Sequence, residues 1–439
     1  MNLSLKSTVI LFMSHFKMLY LHVEGDFVLF FQARILLDLL FRGCSGMAKI
    51  RVLVVDDSSV VRPMVSNALA IDPALEVVGT AANGQIAIAK IPLLNLDLII
   101  LDVAMPEMDG LETLAAIRER DKNLPIIMYS ALTELGAIAT LEALSLGATD
   151  YVTKPHNMKT KEAALEHIQQ QLIPKIKVFS HGAARKQEDA LTRENGDAKK
   201  NFYSSFPSKI LSPPNPPRRK AQHPLVSPFS RGTGGGSLGG SAKSKIDIVA
   251  IGVSTGGPNA LETILRELPA NFPVPLVIVQ HMPPVFTKRL AERLAQKSKI
   301  RVSEGVQGGI LEAGHAWIAP GDYHMVVEKY GERIQIYINQ DPPENSCRPA
   351  VDVLFRSVAK TYGANTLAVV LTGMGQDGLI GCQYIKEAGA QVIVQDEKTS
   401  VVWGMPGIVA NSGLAEKVLP LDEIAGEIIS RVCEGRVYC

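Results

Sequence analysis

At 439 residues the chain is too long for one compact core, so two domains and a connection are its natural organisation. Lys and Arg total 45 against 44 Asp and Glu, and a net charge of +1 gives no whole-chain argument for nucleic acid or a membrane surface. The five cysteines (Cys44, Cys347, Cys382, Cys433 and Cys439) show no CxxC pair or metal spacing. That usage fits a reducing, cytoplasmic setting, and no cysteine ends a strand in company with a histidine, which argues against a thiol nucleophile.

Residues 1–46 are rich in Leu and Phe, but Lys6, His15, Lys17, Glu24, Asp26, Arg34 and Asp38 interrupt every apolar run. No stretch approaches the ~20 apolar residues that span a bilayer, and the order of regions in a signal peptide is absent. Met47-Ala48-Lys49-Ile50 opens a conventional domain start, so 1–46 is expected to be a non-native extension from a mis-assigned start, with a membrane-surface helix as the alternative. The intact mass of the native protein distinguishes the two.

Residues 49–172 alternate apolar strands with helical patterns, as in a parallel sheet. Strands are expected at Ile50–Val55, Glu76–Thr80, Leu96–Leu101, Pro125–Tyr129 and Asp150–Val152, with helices at Val60–Ala70, Gly84–Lys90, Gly110–Arg118, Leu135–Leu146 and Thr160–Leu172. Asp56-Asp57 follow the first strand, Asp102 the third, Ser130 the fourth and Lys154-Pro155 the fifth. Clustered carboxylates repel unless a hard divalent cation binds, and an all-oxygen site suits Mg²⁺. A lysine and a hydroxyl across the pocket would hold a phosphoryl group, and Asp102 is best placed to become an acyl phosphate. One strand-end aspartate is often only a helix cap; five such residues together are not.

From Lys175 to Lys245 the periodicity stops. Ser212-Pro213-Pro214-Asn215-Pro216-Pro217 and Gly232–Gly240 are linker chemistry, and fourteen Lys/Arg against four Asp/Glu make the segment basic. It reads as a solvated tether, with a dock for an acidic partner as the sharper alternative.

The alternating pattern resumes at Ile246. The buried strand Ile246–Val253 breaks into Ser254-Thr255-Gly256-Gly257-Pro258, where a helix begins; Val274–Gln280 ends in His281, and Leu367–Leu371 ends in Thr372-Gly373-Met374-Gly375-Gln376-Asp377-Gly378. Helices are expected at Asn259–Leu268, Thr287–Gln296, Val351–Tyr362, Leu379–Ala388 and Leu421–Val432, and β signals at Ala316–Ala319, Met325–Glu328 and Ile334–Ile338 suggest a small antiparallel excursion. Sites in open α/β sheets form outside the carboxyl ends of strands, so Ser254, His281 and Asp377 converge on one edge as nucleophile, base and orienter. His281 lies 27 residues after Ser254, one βαβ unit on. Asp322, Asp352 and Asp396 are rivals for the acid, Asp396 the most serious. Gly252-Val253-Ser254-Thr255-Gly256 spells the nucleophile-elbow pattern, but the chain order is not that of an α/β-hydrolase, and no G-x-G-x-x-G supports a dinucleotide loop.

The first pattern resembles the receiver domains of response regulators over essentially all of 49–172. The resemblance implies phosphorylation at Asp102, metal ligation by Asp57, Asp102 and the carbonyl of Ala104 with Asp56 acting through water, switch residues Ser130 and Tyr151, and Lys154 as charge sensor. The second pattern, with Arg348-Pro349-Ala350-Val351-Asp352-Val353-Leu354-Phe355 and Val401-Val402-Trp403-Gly404-Met405-Pro406, resembles the chemotaxis protein-glutamate methylesterases, the CheB family, over 246–435. That resemblance implies an enzyme acting on glutamyl methyl esters, and often glutamines, of chemoreceptor cytoplasmic domains. Ser254, His281 and Asp377 would be the triad, and the amides of Thr255 and Met374 the oxyanion hole. Ala350 stands where the family usually has Ser.

The expected architecture is therefore α/β, with two doubly wound parallel-sheet domains: a flavodoxin-like receiver at 47–174 and a Rossmann-like methylesterase domain at 246–439. A long flexible linker at 175–245 joins them. The family resemblance further implies a chemotaxis histidine kinase as phosphoryl donor, Mg²⁺ in the receiver, no cofactor in the catalytic domain, and an unphosphorylated receiver that covers the cleft. A DNA-binding regulator is disfavoured because the C-terminal half has no helix-turn-helix-sized module and no basic recognition stripe. A scaffold with a vestigial triad is the other alternative. Nucleic-acid binding and direct membrane insertion are not expected.

Overall fold

The computed structural model describes residues 20–23, 26–29, 49–156, 158, 160–192 and 245–436. Most of the expected 1–46 extension, and 193–244 of the expected tether, lie outside the described residues. Within the former, Tyr20–Val23 (β1) and Asp26–Leu29 (β2) pair antiparallel. Among the described residues no helix is long and apolar enough to cross a membrane.

The first parallel sheet contains Ile50–Val55 (β3), Leu75–Ala81 (β4), Leu98–Asp102 (β5), Ile126–Ser130 (β6) and Asp150–Thr153 (β7), in the order β4-β3-β5-β6-β7. Strands β3, β5 and β6 are almost wholly buried, as near-continuous apolar runs covered on both faces must be. The interleaved helices are Val61–Leu69 (α1), Gly84–Lys90 (α2), Gly110–Arg120 (α3), Glu134–Ser145 (α4) and Lys161–Thr192 (α5). Helix α3 starts with a capping box: Asp109 accepts from the Glu112 amide at 2.8 Å, and Glu112 accepts from the Asp109 amide at 3.0 Å.

Helix α5 overturns the expectation that helical order stops before 175. It runs 32 residues with Pro174 inside it. A mid-helix proline removes one backbone hydrogen bond and costs on the order of 3 kcal/mol. Leu172, Ile176 and Phe179 are all buried, and their spacing of four and three places them on one helix face, so side-chain burial across the proline offsets that cost.

The second parallel sheet is built from Ile248–Val253 (β8), Leu276–Gln280 (β9), Arg301–Glu304 (β10), His315–Ile318 (β11), Thr366–Val370 (β14), Gln391–Gln395 (β15) and Lys417–Leu419 (β16), in the order β10-β11-β9-β8-β14-β15-β16. Between β11 and β14, His324–Tyr330 (β12) and Arg333–Asn339 (β13) form an antiparallel hairpin. The antiparallel excursion thus holds for two of its three β signals. The third, around 316–319, is a strand of the main sheet, parallel to both neighbours. All four residues of β11 are buried, and a run covered on both faces carries no alternation to distinguish it from a hairpin strand. The short strands β10 and β16 were not foreseen.

The helices here are Gly257–Glu267 (α6), Phe286–Lys297 (α7), Val351–Tyr362 (α8), Leu379–Glu387 (α9), the unforeseen Met405–Asn411 (α10) and Leu421–Cys433 (α11). Alternate strand residues Ile248, Ala250, Val277, Val279, Ala368, Val370, Val392 and Val394 share one core with Val351, Leu354, Phe355 and Val358 of α8. The period of two sends the intervening residues to the other face. That packing fixes the strand ends, and with them the loops that carry the chemistry.

Candidate functional site

In the first sheet the strand order reverses between β3 and β5, and the carboxyl ends of these two strands carry Asp56, Asp57 and Asp102. Such a reversal opens a crevice beyond the sheet. Lys154, just past β7, places its Nζ 2.8 Å from Asp56 Oδ2 and 2.7 Å from Asp102 Oδ2. Asp56 and Asp102 are buried and Asp57 is exposed; one oxygen from each lies within 4.8 Å of the others. Burial, with a contribution from Asp56, raises the Asp102 carboxyl to about 6 against the pull of the Lys154 ammonium. Burial also works against the charge on Lys154, but the two carboxylates prevail and hold its pKa above the ordinary lysine value. Three carboxylates facing one ammonium leave surplus negative charge in an all-oxygen set, which fits a hard divalent cation such as Mg²⁺. Ser130, the last residue of β6, donates to the Gly136 carbonyl at 3.1 Å. Tyr151 lies buried within β7, and Ala104 is exposed two residues past Asp102.

In the second sheet the order reverses between β8 and β14, and the loops leaving these strands and β9 hold Ser254, Asp377 and His281. Ser254 leaves β8 on a turn whose Gly256 has φ of +79°, a left-handed conformation that glycine adopts without penalty. A Cβ on Gly373 would lie 2.9 Å from Ser254 Cβ and 2.4 Å from Met405 Sδ, so only glycine lets the chain after β14 pass this close to the serine. The two strand ends are tied directly: the His281 amide donates to the Val253 carbonyl at 3.2 Å, and Gln280 Nε2 donates to the Ser254 carbonyl at 2.9 Å. Among the described residues the amides of Thr255 and Met374 have no hydrogen-bond acceptor.

His281 Nε2 lies 2.7 Å from Asp377 Oδ2. The carboxylate is itself anchored. Its Oδ2 accepts from the Val351 amide at 2.6 Å, while Oδ1 accepts from the Asp352 and Gly378 amides and from Asn345 Nδ2, each at 3.0 Å. Burial opposes its ionisation, but His281 and these donors hold its pKa below the ordinary carboxylate value. Burial likewise opposes charge on His281, yet its hydrogen bonds with Asp377 and Cys347 push it up to about 10.

The rival acids are otherwise engaged. Asp322 pairs with Arg348 at 2.6 Å, and Asp396 accepts from the Thr399 amide at 3.0 Å. Asp352 turns toward the loop after β14, where its Oδ1 accepts from the Gly378 and Gly381 amides at 3.0 and 2.6 Å. It braces the Asp377 loop and does not face the histidine.

Two residues near the centre went unforeseen. Asn345 bridges Asp377 and Asp352, its Nδ2 donating to both. Cys347, on the loop before α8 and not at a strand end, places its Sγ 3.7 Å from His281 Nδ1. Nothing in the spacing links position 347 to 281, because the loop carrying the thiol is returned to the site by α8. Among the described residues the Ser254 hydroxyl makes no hydrogen bond, and His281 Nδ1, the ring nitrogen that Asp377 leaves free, meets the cysteine.

Comparison with known proteins supports both halves. The CheB methylesterase family matches residues 249–428, and the response regulator receiver domain family matches 52–166. A protein-glutamate methylesterase/protein-glutamine glutaminase of Trichodesmium erythraeum is 53% identical over 386 residues, covering 88% of this chain and 100% of that one. One of the same description from a Nocardioides species is 45% identical over 390 residues, covering 89% and 97%. A crystal structure of the Thermotoga maritima CheB methylesterase catalytic domain is 43% identical, covering 42% of this chain and 98% of that one, with a TM-score of 0.42. With a receiver domain ahead of a methylesterase domain, and relatives matched along 97–100% of their length, the chain belongs to the CheB methylesterase family of response regulators.

Proposed function

We propose that the protein hydrolyses glutamyl methyl esters of chemoreceptor cytoplasmic domains, and deamidates receptor glutamines, under control of phosphorylation at Asp102. The observation that carries this reading is the anchored Asp377–His281 pair standing beside Ser254 where the strand order reverses. Asp377 holds the proton on His281 Nε2, so Nδ1 is the acceptor for the serine proton. Ser254 Oγ attacks the ester carbonyl as Nδ1 takes its proton; the imidazolium then protonates the departing methanol, and water hydrolyses the acyl-enzyme by the reverse sequence. An amide would release ammonia instead. The Thr255 and Met374 amides are free to stabilise the oxyanion, where one donor is typically worth about 3 kcal/mol. The serine–imidazole contact is one that commonly tightens only with substrate bound.

On the receiver, Asp102 is the acceptor for a histidine kinase's phosphoryl group. Asp56, Asp57 and Asp102 would hold Mg²⁺, joined by the Ala104 carbonyl; when bound, the ion neutralises charge at the acceptor. Lys154 binds a phosphoryl oxygen, and Ser130 and Tyr151 respond to its presence.

The test is methanol release from methylated receptor membranes, with and without Mg²⁺ and a small acyl-phosphate donor. Release should rise with the donor. Asp102→Asn should keep basal release and lose the whole increment. Release indifferent to the donor removes the receiver as switch, and no release from any methylated receptor overturns the reading.

The pH dependence has a definite sign. His281 must be uncharged to accept the serine proton, and its contacts raise its pKa above the ordinary 6.5. Hydrolysis should therefore climb with pH along a limb displaced above the usual histidine range. Cys347→Ser removes one raising contact and should move that limb to lower pH, read from the pH profile of kcat/KM.

A further inference from the structure

The cysteine against the catalytic imidazole has no place in the hydrolytic scheme. Its sulfur and Asp377 meet the two different ring nitrogens: Cys347 Sγ is 3.7 Å from His281 Nδ1, and His281 Nε2 is 2.7 Å from Asp377 Oδ2. We propose that Cys347 and His281 form a binding site for a thiophilic divalent cation, Zn²⁺, backed by Asp377, and that its occupancy shuts off the hydrolytic site.

Four observations carry this inference. The first is distance. Two ligands of one tetrahedral zinc, with bonds of about 2.3 Å to sulfur and about 2.1 Å to nitrogen, stand about 3.6 Å apart, close to the separation of Sγ and Nδ1. The second is orientation. A histidine that donates one N–H to a carboxylate presents its other nitrogen as a lone pair, the arrangement that tunes and aims zinc-binding histidines. Here that lone pair faces the sulfur. The third is rigidity, because the carboxylate accepts from three backbone amides and from Asn345, which fixes the ring before any ion arrives. The fourth is access: His281 and Cys347 are only partly buried, and the thiol is free.

The donor types also select the ion. One donor oxygen, nitrogen and sulfur from Asp377, His281 and Cys347 lie within 4.8 Å of one another, whereas the receiver cluster offers only oxygens. Sulfur and imidazole favour zinc-like ions, and carboxylates favour magnesium, so the chain separates the two ions by chemistry. Binding forms Zn–S and Zn–N bonds and releases to solvent the thiol proton and, wherever the imidazole is charged, the proton on Nδ1. The Nδ1 lone pair that the ion takes is the one that would accept the Ser254 proton. The inhibitory half of the proposal therefore rests on the function proposed above; the binding half does not.

Co²⁺ is the probe, titrated into the reduced, metal-free full chain, because a cobalt–thiolate bond gives a near-ultraviolet charge-transfer band. The band should grow to one equivalent, vanish on adding Zn²⁺, be absent in Cys347→Ser and persist in Asp102→Asn. In the unmutated protein Zn²⁺ should protect Cys347 from alkylation, read by peptide mapping. Half-inhibition of methyl-ester hydrolysis should need at least about tenfold more Zn²⁺ in Cys347→Ser. A band that survives Cys347→Ser, cobalt binding without a thiolate band, or Cys347 alkylated equally fast with Zn²⁺ present overturns the site. Equal Zn²⁺ sensitivity of the two proteins overturns the inhibition. A band with no methylesterase activity in any form supports the ion site while overturning the proposed function.

Discussion

Ser254→Ala is expected to lower methyl-ester hydrolysis by about 10⁴-fold or more while leaving the protein folded as before. The reasoning separates chemistry from structure. The hydroxyl makes no hydrogen bond among the described residues, so its removal strands no buried partner. The backbone bonds that define the turn, from the Ser254 amide to the Thr372 carbonyl at 3.0 Å and from the Gly257 amide to the Ser254 carbonyl at 2.8 Å, do not involve the side chain. Thermal unfolding should therefore stay within the ~0.5 kcal/mol typical of a neutral substitution. Residual hydrolysis would come from the Thr255 and Met374 amides acting on bound ester. Methanol release from methylated receptor membranes, with a melting curve on the same preparation, measures both quantities. Activity within tenfold of the parent would remove Ser254 as the nucleophile and turn attention to Cys347.

Asp377→Asn is expected to cost comparably in rate, about 10⁴-fold, and to cost stability as well. Asp377 gathers five donors on two oxygens: His281 and the Val351 amide on Oδ2, and the Asp352 amide, the Gly378 amide and Asn345 on Oδ1. A carboxamide has one oxygen, so its NH₂ must face donors at one end or the other. Turned toward His281, it forces the proton to Nδ1 and leaves no acceptor for the serine. Turned away, it confronts two amides and Asn345 in a buried setting, where an unsatisfied group costs about 1–3 kcal/mol. The melting temperature should fall with the rate. Asp396→Asn is the control, because among the described residues that carboxylate accepts only within its own turn, from Thr399, and hydrolysis should stay within about twofold. A large loss in Asp396→Asn with little change in Asp377→Asn would reassign the acid.

The central strands β3, β5, β8, β9 and β14 are buried on both faces and read as apolar runs ending at a break, so the residues just beyond them could be named from sequence. Asp56, Asp57 and Asp102 are legible because the ends of the first and third strands carry them, and Lys154 because it follows the last strand. Strand β11 reads as a strand in the sequence but not as part of the main sheet, since burial on both faces erases the alternation that distinguishes sheet environments. The helix expected at Thr160–Leu172 runs on to Thr192, past a Pro174 whose local chemistry disfavours continuation. The burial of Ile176 and Phe179 that sustains the helix is a tertiary fact.

The chain by itself determined that two parallel sheets would form and which side chains their carboxyl ends would carry, because strand period, helix starts and glycine turns act over a few residues. Tertiary structure decided which partners those side chains meet. Asp377 was one of four candidate acids until α8 aimed the Val351 and Asp352 amides at it, and the pairing of Asp322 with Arg348 removed a competitor. The position of Cys347 beside His281 has no local signature, since 66 residues separate them and only the packed sheet brings their loops together. Contacts between distant loops depend on how whole elements pack, and no short window of sequence carries that information.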